Sequence, residues 1–276
     1  IHPFSIPRLM ANGPASLVSL AMGITGPSFA VSSACSSSNH AIGLAAGMVQ
    51  RGEVDAALAG GAEAAITYGG LRAWEALRVI SPDVCRPFSA DRKGMILGEG
   101  SGMVVLEDME RAKARGAHIY AELAGFGMSA DAVDMVQPSM EGAARTIKTA
   151  LNAAGMNPDE VDYINAHGTG MPANDPTETK AIRTVFGDAA DKLLVSSTKA
   201  MHGHALGAAG ALELIATLGA MNSGIVPPTI NFTEADPECD LDYVPNKARE
   251  RQVKSAVSNS FAFGGLNAVL ALRAAP

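Results

Sequence analysis

The sequence is poor in cysteine: Cys35, Cys85 and Cys239 are all it has, with no Cys-x-x-Cys among them. An odd, widely spaced set excludes a disulfide framework and a zinc finger, and the compartment it fits is a reducing cytoplasm. Charge is scarce too. Asp, Glu, Lys and Arg make up 18% of the chain and leave a net charge of −7, so no global basic surface is available for nucleic acid. No apolar run reaches membrane-spanning length without a glycine or polar residue breaking it. The start, Ile1-His2-Pro3-Phe4, has no basic segment followed by an apolar core, which excludes a signal peptide. It lacks an initiator methionine and reads as a chain cut from something longer. Gly98-Glu99-Gly100-Ser101-Gly102 has the wrong spacing for a dinucleotide fingerprint and precedes a strand instead of opening a helix. No phosphate-loop signature occurs either, so nucleotide binding is set aside. Aromatic residues are only 5% of the chain, with Trp74 the single tryptophan.

What the chain does have is small and aliphatic residues. Hydrophobic residues are 47% of its 276 positions, enough to bury one large or two ordinary domains, and the many Ala and the 29 Gly point to close packing of elements. Periodicity predicts an alternation of strands and helices. Ser28–Val31 reads as a strand, Ala41–Arg51 as a helix, Asp55–Ala62 as a buried strand, Leu71–Val79 as a helix carrying Arg72, Trp74 and Arg78, and Met103–Leu106 as a strand. After a helix ending at Gly116 the pattern restarts near His118. Strands are predicted at Ile119–Phe126, Val161–Ala166 and Leu193–Val195, and helices at Glu141–Ala154, Thr177–Phe186 and His204–Met221. Ser255–Phe261 and Asn267–Leu272 close the chain as a hairpin. Such alternation predicts an α/β architecture with largely parallel sheets, built as two similar halves.

Within this pattern Ser32-Ser33-Ala34-Cys35-Ser36-Ser37-Ser38-Asn39 sets one cysteine among small residues at a strand-to-helix turn. The helix N-terminus there favours a thiolate, whereas the alternative is a structural cysteine acting as a small apolar group. Other reactive side chains fall at strand-to-helix junctions, where α/β sheets bind ligands. They are His167 in Asn165-Ala166-His167-Gly168-Thr169-Gly170, Lys199 after Ser196-Ser197-Thr198, and His204 in His202-Gly203-His204, opening a helix that carries Glu213. The helix dipole disfavours an imidazolium at that end, so His204 is expected to stay neutral and able to donate to a developing oxyanion. A metal site from His167, His202, His204 and an acid such as Asp175 or Glu213 is the rival reading, but no His-Glu-x-x-His spacing supports it. A papain-like protease would use fewer histidines and no lysine. Cysteine with histidine fits covalent catalysis.

Ala34-Cys35-Ser36-Ser37-Ser38, His167-Gly168-Thr169-Gly170 with Asn174-Asp175, Ser197-Thr198-Lys199 with Gly203 to Gly210, and Asn259-Ser260-Phe261-Ala262-Phe263-Gly264-Gly265 follow one another in an order that resembles the β-ketoacyl-[acyl-carrier-protein] synthases, elongating branch. Ala73 to Arg78 and His202-Gly203-His204 also resemble the nodulation protein E type. The resemblance implies a thiolase-like fold of α-β-α-β-α layers in two related halves, the first incomplete here, with residues 1–117 the remainder of the first and 118–276 the second. It implies a homodimer when complete, acyl- and malonyl-loaded carrier protein as partners, and no organic cofactor. Cys35 would take an acyl group from a carrier thioester, with the Cys35 and Phe263 N–H groups as oxyanion hole. His167 and His204 would bind the malonyl thioester carbonyl and stabilise the enolate left by decarboxylation. Lys199, paired with Glu213, would hold the electrostatics. Phe263 would gate the acyl pocket beside Phe261, Thr169 would contact the pantetheine arm, and Arg78 would dock the acidic carrier. Asp175 and Asn259 would support the site, and a structural Na+ or K+ is implied near Asn165, Glu213, Ser258 and Asn259. The chain departs from the pattern at Met171 and Val136, where hydroxyls are usual, at Ala262, where glycine is usual, and at Asp134 in the loop around Asp131. The resemblance alone leaves a second reading: a non-catalytic acyl- or carrier-binding partner, or a fragment inactive by itself.

Overall fold

The computed structural model describes residues 2–275. In chain order the elements are α1 (Ser5–Leu9), α2 (Gly13–Met22), α3 (Ser37–Gln50), β1 (Ala56–Glu63), α4 (Tyr68–Ala76), β2 (Gly100–Glu107), α5 (Met109–Ala114), β3 (Ala121–Ala130) and α6 (Met140–Ala154). They continue with β4 (Tyr163–Asn165), α7 (Asn174–Phe186), β5 (Leu194–Ser196), α8 (Lys199–His202), α9 (Ala209–Ser223), β6 (Ile225–Val226), β7 (Arg249–Glu250), β8 (Ser255–Ala262) and β9 (Leu266–Ala274).

A five-stranded sheet in the order β3-β9-β8-β4-β5 is the centre of the molecule. Its middle strand β8 is buried along its whole length, and β9 is buried over most of its own. That is why both read as near-continuous runs of small and apolar residues without alternation. Helices α6 and α7 cover one face and α3 and α9 lie against the other; on their far side α3 and α9 meet the antiparallel pair β1–β2. Four layers, α-β-α-β, result among the described residues, one helical layer fewer than the resemblance implies, because the outer face of β1–β2 is left open at Met103 and Val105. β2 points Gly102 into α9 and turns Met103 and Val105 out to solvent, the period-two pattern of a half-covered strand.

The helices sit where their sequences direct them. In α6 the buried residues Ala143, Ala144, Ile147, Ala150, Leu151 and Ala154 recur at helical spacing, the Ser139 hydroxyl accepts from the Gly142 N–H at 3.2 Å, and Gly155 ends the helix in the left-handed region. The strand beneath answers with glycine. A Cβ on Gly127 would lie 2.3 Å from the Thr146 carbonyl oxygen and 2.6 Å from the Ala150 nitrogen, so helix and sheet meet backbone to backbone.

Several expectations are corrected. The sheets are mixed: among the described strand pairs β4–β5 and β4–β8 run parallel and the others antiparallel, because the closing antiparallel hairpin β8–β9 is inserted into the middle. Ser28–Val31 forms no strand; it has no neighbour to complete a ladder. Helix α4 stops at Ala76, and Arg78 lies beyond it with φ 58°. The helix predicted from His204 begins at Ala209, because His204 is held to another segment: its N–H donates to the Ile96 carbonyl at 2.7 Å and its carbonyl accepts from Gly98 at 3.0 Å.

Gly127→Val should drive α6 off the sheet and destabilise the chain by about 1–3 kcal/mol or more. Denaturant unfolding measures it; an unchanged midpoint would show that helix and strand are not in backbone contact.

Candidate functional site

Cys35 lies in a single 3-10 turn, Ala34–Ser36, that leads into α3. The turn is sharp enough to force Ala34 to φ 50°, a region alanine rarely occupies. It is pinned from below, where the Ser36 hydroxyl donates to the Leu266 carbonyl at 2.9 Å. Cys35 is 7% exposed. Burial pushes its thiol up to about 11, against the positive charge of Lys199 and against the Cys35 and Phe263 backbone N–H groups, which pull it down. Desolvation thus opposes the thiolate that the helix end favours.

Two histidines face this sulfur's cavity. His204 Nε2 is 3.0 Å from Cys35 Sγ, and its Nδ1 accepts from the Leu206 N–H at 3.2 Å. A ring whose Nδ1 accepts carries its proton on Nε2, so His204 points an N–H at the sulfur. His167 follows β4, with its ring 5.4 Å from that of His204 and turned at 85°. Its Nδ1 lies 3.3 Å from Lys199 Nζ. An ammonium only donates, so His167 also carries its proton on Nε2. Burial first, then the Lys199 charge, holds both rings well below the usual histidine range. The expected neutrality of His204 has this origin and not the end of α9, which starts five residues later. His202 does not join them; its ring bonds Gly203 and Thr198 instead.

Lys199 opens α8 and forms a fully buried ion pair with Glu213 of α9. Burial pushes the Glu213 carboxyl up to about 7, opposed by Lys199. Beside it the buried oxygens Asn165 Oδ1, Glu213 Oε2, Ser258 Oγ and Asn259 Oδ1 have no hydrogen-bond partner. Asn165 and Ser258 are register partners on adjacent strands. Oxygens without donors suit a hard monovalent cation, so these residues fit the implied Na+ or K+.

Sequence reasoning missed Glu178. Its carboxylate accepts from the His167 and Gly168 N–H groups, each at 2.8 Å, and from Asn259 Nδ2 at 3.0 Å. One helical turn earlier Asp175 accepts from the Phe88 N–H at 2.7 Å and the Gly170 N–H at 3.2 Å, and burial pushes it up to about 6. Together they clamp residues 167–170 from α7. A signal was available: Asp175 and Glu178 share a helical face with Thr179 and Ile182, all of them buried, and acids on a buried face need a purpose.

The cavity is lined by Cys35, His167, His204, Thr169, Phe261 and Phe263, and Trp74 joins Phe263 at its wall with ring centroids 6.1 Å apart. Arg78 is exposed and does not line it. In one largely enclosed space a sulfur thus meets backbone N–H groups and imidazole N–H groups. Such donors are placed to hold negative charge on a carbonyl oxygen without prior reorganisation.

Two outcomes test this electrostatic picture. Lys199→Met strands Glu213 and should cost about 3–5 kcal/mol of stability, most of it recovered in Lys199→Met/Glu213→Gln, as read by denaturant unfolding. Alkylation of Cys35 by iodoacetamide should accelerate with pH toward about 11, since only the thiolate reacts and its fraction grows as the thiol titrates. A rate already level below neutrality would refute the upward shift of the thiol.

The family models for "Beta-ketoacyl synthase, N-terminal domain" and "Beta-ketoacyl synthase, C-terminal domain" match residues 1–112 and 120–233. Nodulation protein E of Rhizobium leguminosarum bv. trifolii is 55% identical over 270 residues, covering 98% of this chain and 67% of that protein. The 3-oxoacyl-[acyl-carrier-protein] synthase 2 of Coxiella burnetii is 47% identical over 280 residues, covering 99% of this chain and 68% of that protein. The chain thus spans about two thirds of the length of the curated relatives it matches. Among solved structures, a ketosynthase bound to the hexaketide, in complex with its type II PKS acyl-carrier protein, superimposes with a TM-score of 0.97 at 36% identity, covering 100% of this chain and 70% of its own. In sequence and in fold, this chain belongs to the β-ketoacyl synthase family.

Proposed function

We propose that the chain is a 3-oxoacyl-[acyl-carrier-protein] synthase that joins malonyl-carrier protein to an acyl group held on Cys35, in fatty-acid or related acyl-chain synthesis. The observation that carries this reading is the convergence on Cys35 Sγ of His204 Nε2, at 3.0 Å, and the Cys35 and Phe263 N–H groups. In the first half-reaction the sulfur bonds to the acyl carbon of a carrier thioester. The carrier's C–S bond breaks, and the proton given up by Cys35 ends on the departing carrier thiol. The two backbone N–H groups would hold the oxyanion of the tetrahedral intermediate.

In the second half-reaction the Nε2–H groups of His167 and His204 would donate to the malonyl thioester carbonyl. Carbon dioxide leaves and the electron pair of the broken C–C bond becomes an enolate, which those donors stabilise. Its carbon attacks the acyl-Cys35 carbonyl, the C–S bond to Cys35 breaks, and the 3-oxoacyl product leaves on its carrier while the thiolate recovers a proton. Neutral rings suit this work better than imidazolium, and burial with Lys199 keeps them neutral. Thr169, Phe261 and Phe263 are assigned to the substrate's arm and acyl chain because they line the cavity. The buried oxygens of Asn165, Glu213, Ser258 and Asn259 would hold a Na+ or K+, which neutralises charge beside the ion pair.

The carrier complex of the related ketosynthase supports a carrier protein as partner, with exposed Arg78 proposed at its docking surface. The resemblance supports a homodimer and a division into halves at 117/118. A second reading, a chain that binds acyl groups or carrier without turnover, has one observation in its favour: the chain spans about two thirds of its relatives. Among the described residues no helix is long and apolar enough to cross a membrane.

Intact mass after mixing with an acyl-carrier thioester separates the readings. An increase of one acyl group, lost in Cys35→Ala, is expected. His204→Ala should still acquire the acyl group but form no 3-oxoacyl product from malonyl-carrier. A folded chain that takes no adduct would move the assignment to the binding reading, and full elongation by Cys35→Ala would overturn the mechanism.

A further inference from the structure

His202 is the histidine that the proposed chemistry leaves unused, and it occupies a specific place. It ends α8, the four-residue helix whose first residue is Lys199, and it is separated from His204 by one glycine. Its Nδ1 lies 2.7 Å from the Gly203 carbonyl oxygen, and its Nε2 lies 3.0 Å from Thr198 Oγ1. A carbonyl only accepts, so Nδ1 carries the proton; Nε2 of the neutral ring then accepts from the Thr198 hydroxyl. The hydroxyl's lone pair in turn receives Asn165 Nδ2 at 3.4 Å. One ring therefore ties the residue before Lys199 to the residue before His204.

The turn it spans needs such a tie. Gly203 has φ 72° and ψ −178°, an arrangement open to glycine and to few other residues. Glycine also makes the turn pliant, and the direction of the Gly203–His204 peptide sets where the His204 ring points. Ile96 holds the far side of that peptide, with the His204 N–H on the Ile96 carbonyl at 2.7 Å. His202 holds its near side, through the carbonyl of Gly203.

We propose that His202 is a positioning residue: it braces the Thr198–Gly203 turn and so fixes Lys199 and His204 relative to each other. The ring touches neither the sulfur nor the cavity and acts only through the two groups it spaces. Burial and the Lys199 charge push its imidazole down to about 4, so it remains an acceptor for Thr198 throughout the neutral range. The inference rests on the condensing reading, in which decarboxylation needs both histidine donors while acylation of Cys35 leans on the backbone N–H groups. Loss of the brace should therefore fall on one half-reaction and spare the other.

Two half-reactions are measured on the full chain, acyl transfer to Cys35 by intact mass and carbon dioxide release from malonyl-carrier, each as kcat and KM. His202→Phe, and independently Thr198→Val, should lower kcat of decarboxylation about tenfold or more with KM and Cys35 acylation within about twofold. His202→Asn keeps an N–H near the Gly203 carbonyl and should restore most of the loss. An unchanged decarboxylation rate in the variants, or an equal fall in both half-reactions that follows a lowered unfolding midpoint, would overturn the brace. A parent chain inactive in both half-reactions would refute the condensing reading instead. The brace is then decided by the imidazole 15N shifts of His204: a move toward mixed tautomers in His202→Phe supports it, and unmoved shifts overturn it.

Discussion

The site depends on one buried ion pair. Lys199 and Glu213 are both fully enclosed, and burying two charges costs several kcal/mol each before their attraction is counted. The surroundings are arranged around that cost. Lys199 gives a second hydrogen bond to His167 and so sets which nitrogen of that ring faces the cavity. Its charge adds to the burial that keeps His167, His202 and His204 neutral. Glu213 leaves one oxygen without a donor, beside Asn165, Ser258 and Asn259, where a monovalent cation fits. Because β5 leads to Lys199, β4 leads to His167 and α9 carries Glu213, pairing β4 with β5 and laying α9 across the sheet brings the three together.

Around this centre two demands on the sulfur oppose each other. Enclosure makes the donors strong, because a hydrogen bond in a dry site is not shared with water. The same enclosure disfavours the thiolate of Cys35. The backbone N–H groups of Cys35 and Phe263, with the Lys199 charge, offset part of that cost. Rigidity is provided from behind. Asp175 and Glu178 clamp the His167 loop, Ser36 anchors the Cys35 turn to β9, and Ser197 Oγ donates to the Gly168 carbonyl at 2.6 Å.

Much of the framework was legible in the sequence. The buried face of α6, its serine cap and its terminal glycine are local properties, and the predicted helix agrees with the observed one to within a residue. Cys35, His167, Lys199 and His204 were legible because small residues and glycines surround each of them, marking places where backbone comes close. Glu178 was not recognised, because its role lies in backbone N–H groups ten and eleven residues away along the chain, and an acid in an amphipathic helix reads as a solvated one. His204 was assigned to a helix since its neighbours are good helix formers, but pairing with Ile96 and Gly98 overrides that propensity.

By itself the sequence determined the order of the elements and the residue types able to carry acyl-transfer chemistry, which reside in local spacing, while the family came through the resemblance of its motifs. Tertiary structure decided the rest. It inserted the antiparallel hairpin β8–β9 between β3 and β4, chose the tautomers of His167 and His204, raised the Cys35 thiol by burial and left Arg78 outside the cavity. Each of these turns on burial or on a partner distant in the chain, and neither desolvation nor a long-range hydrogen bond is a property of any one segment.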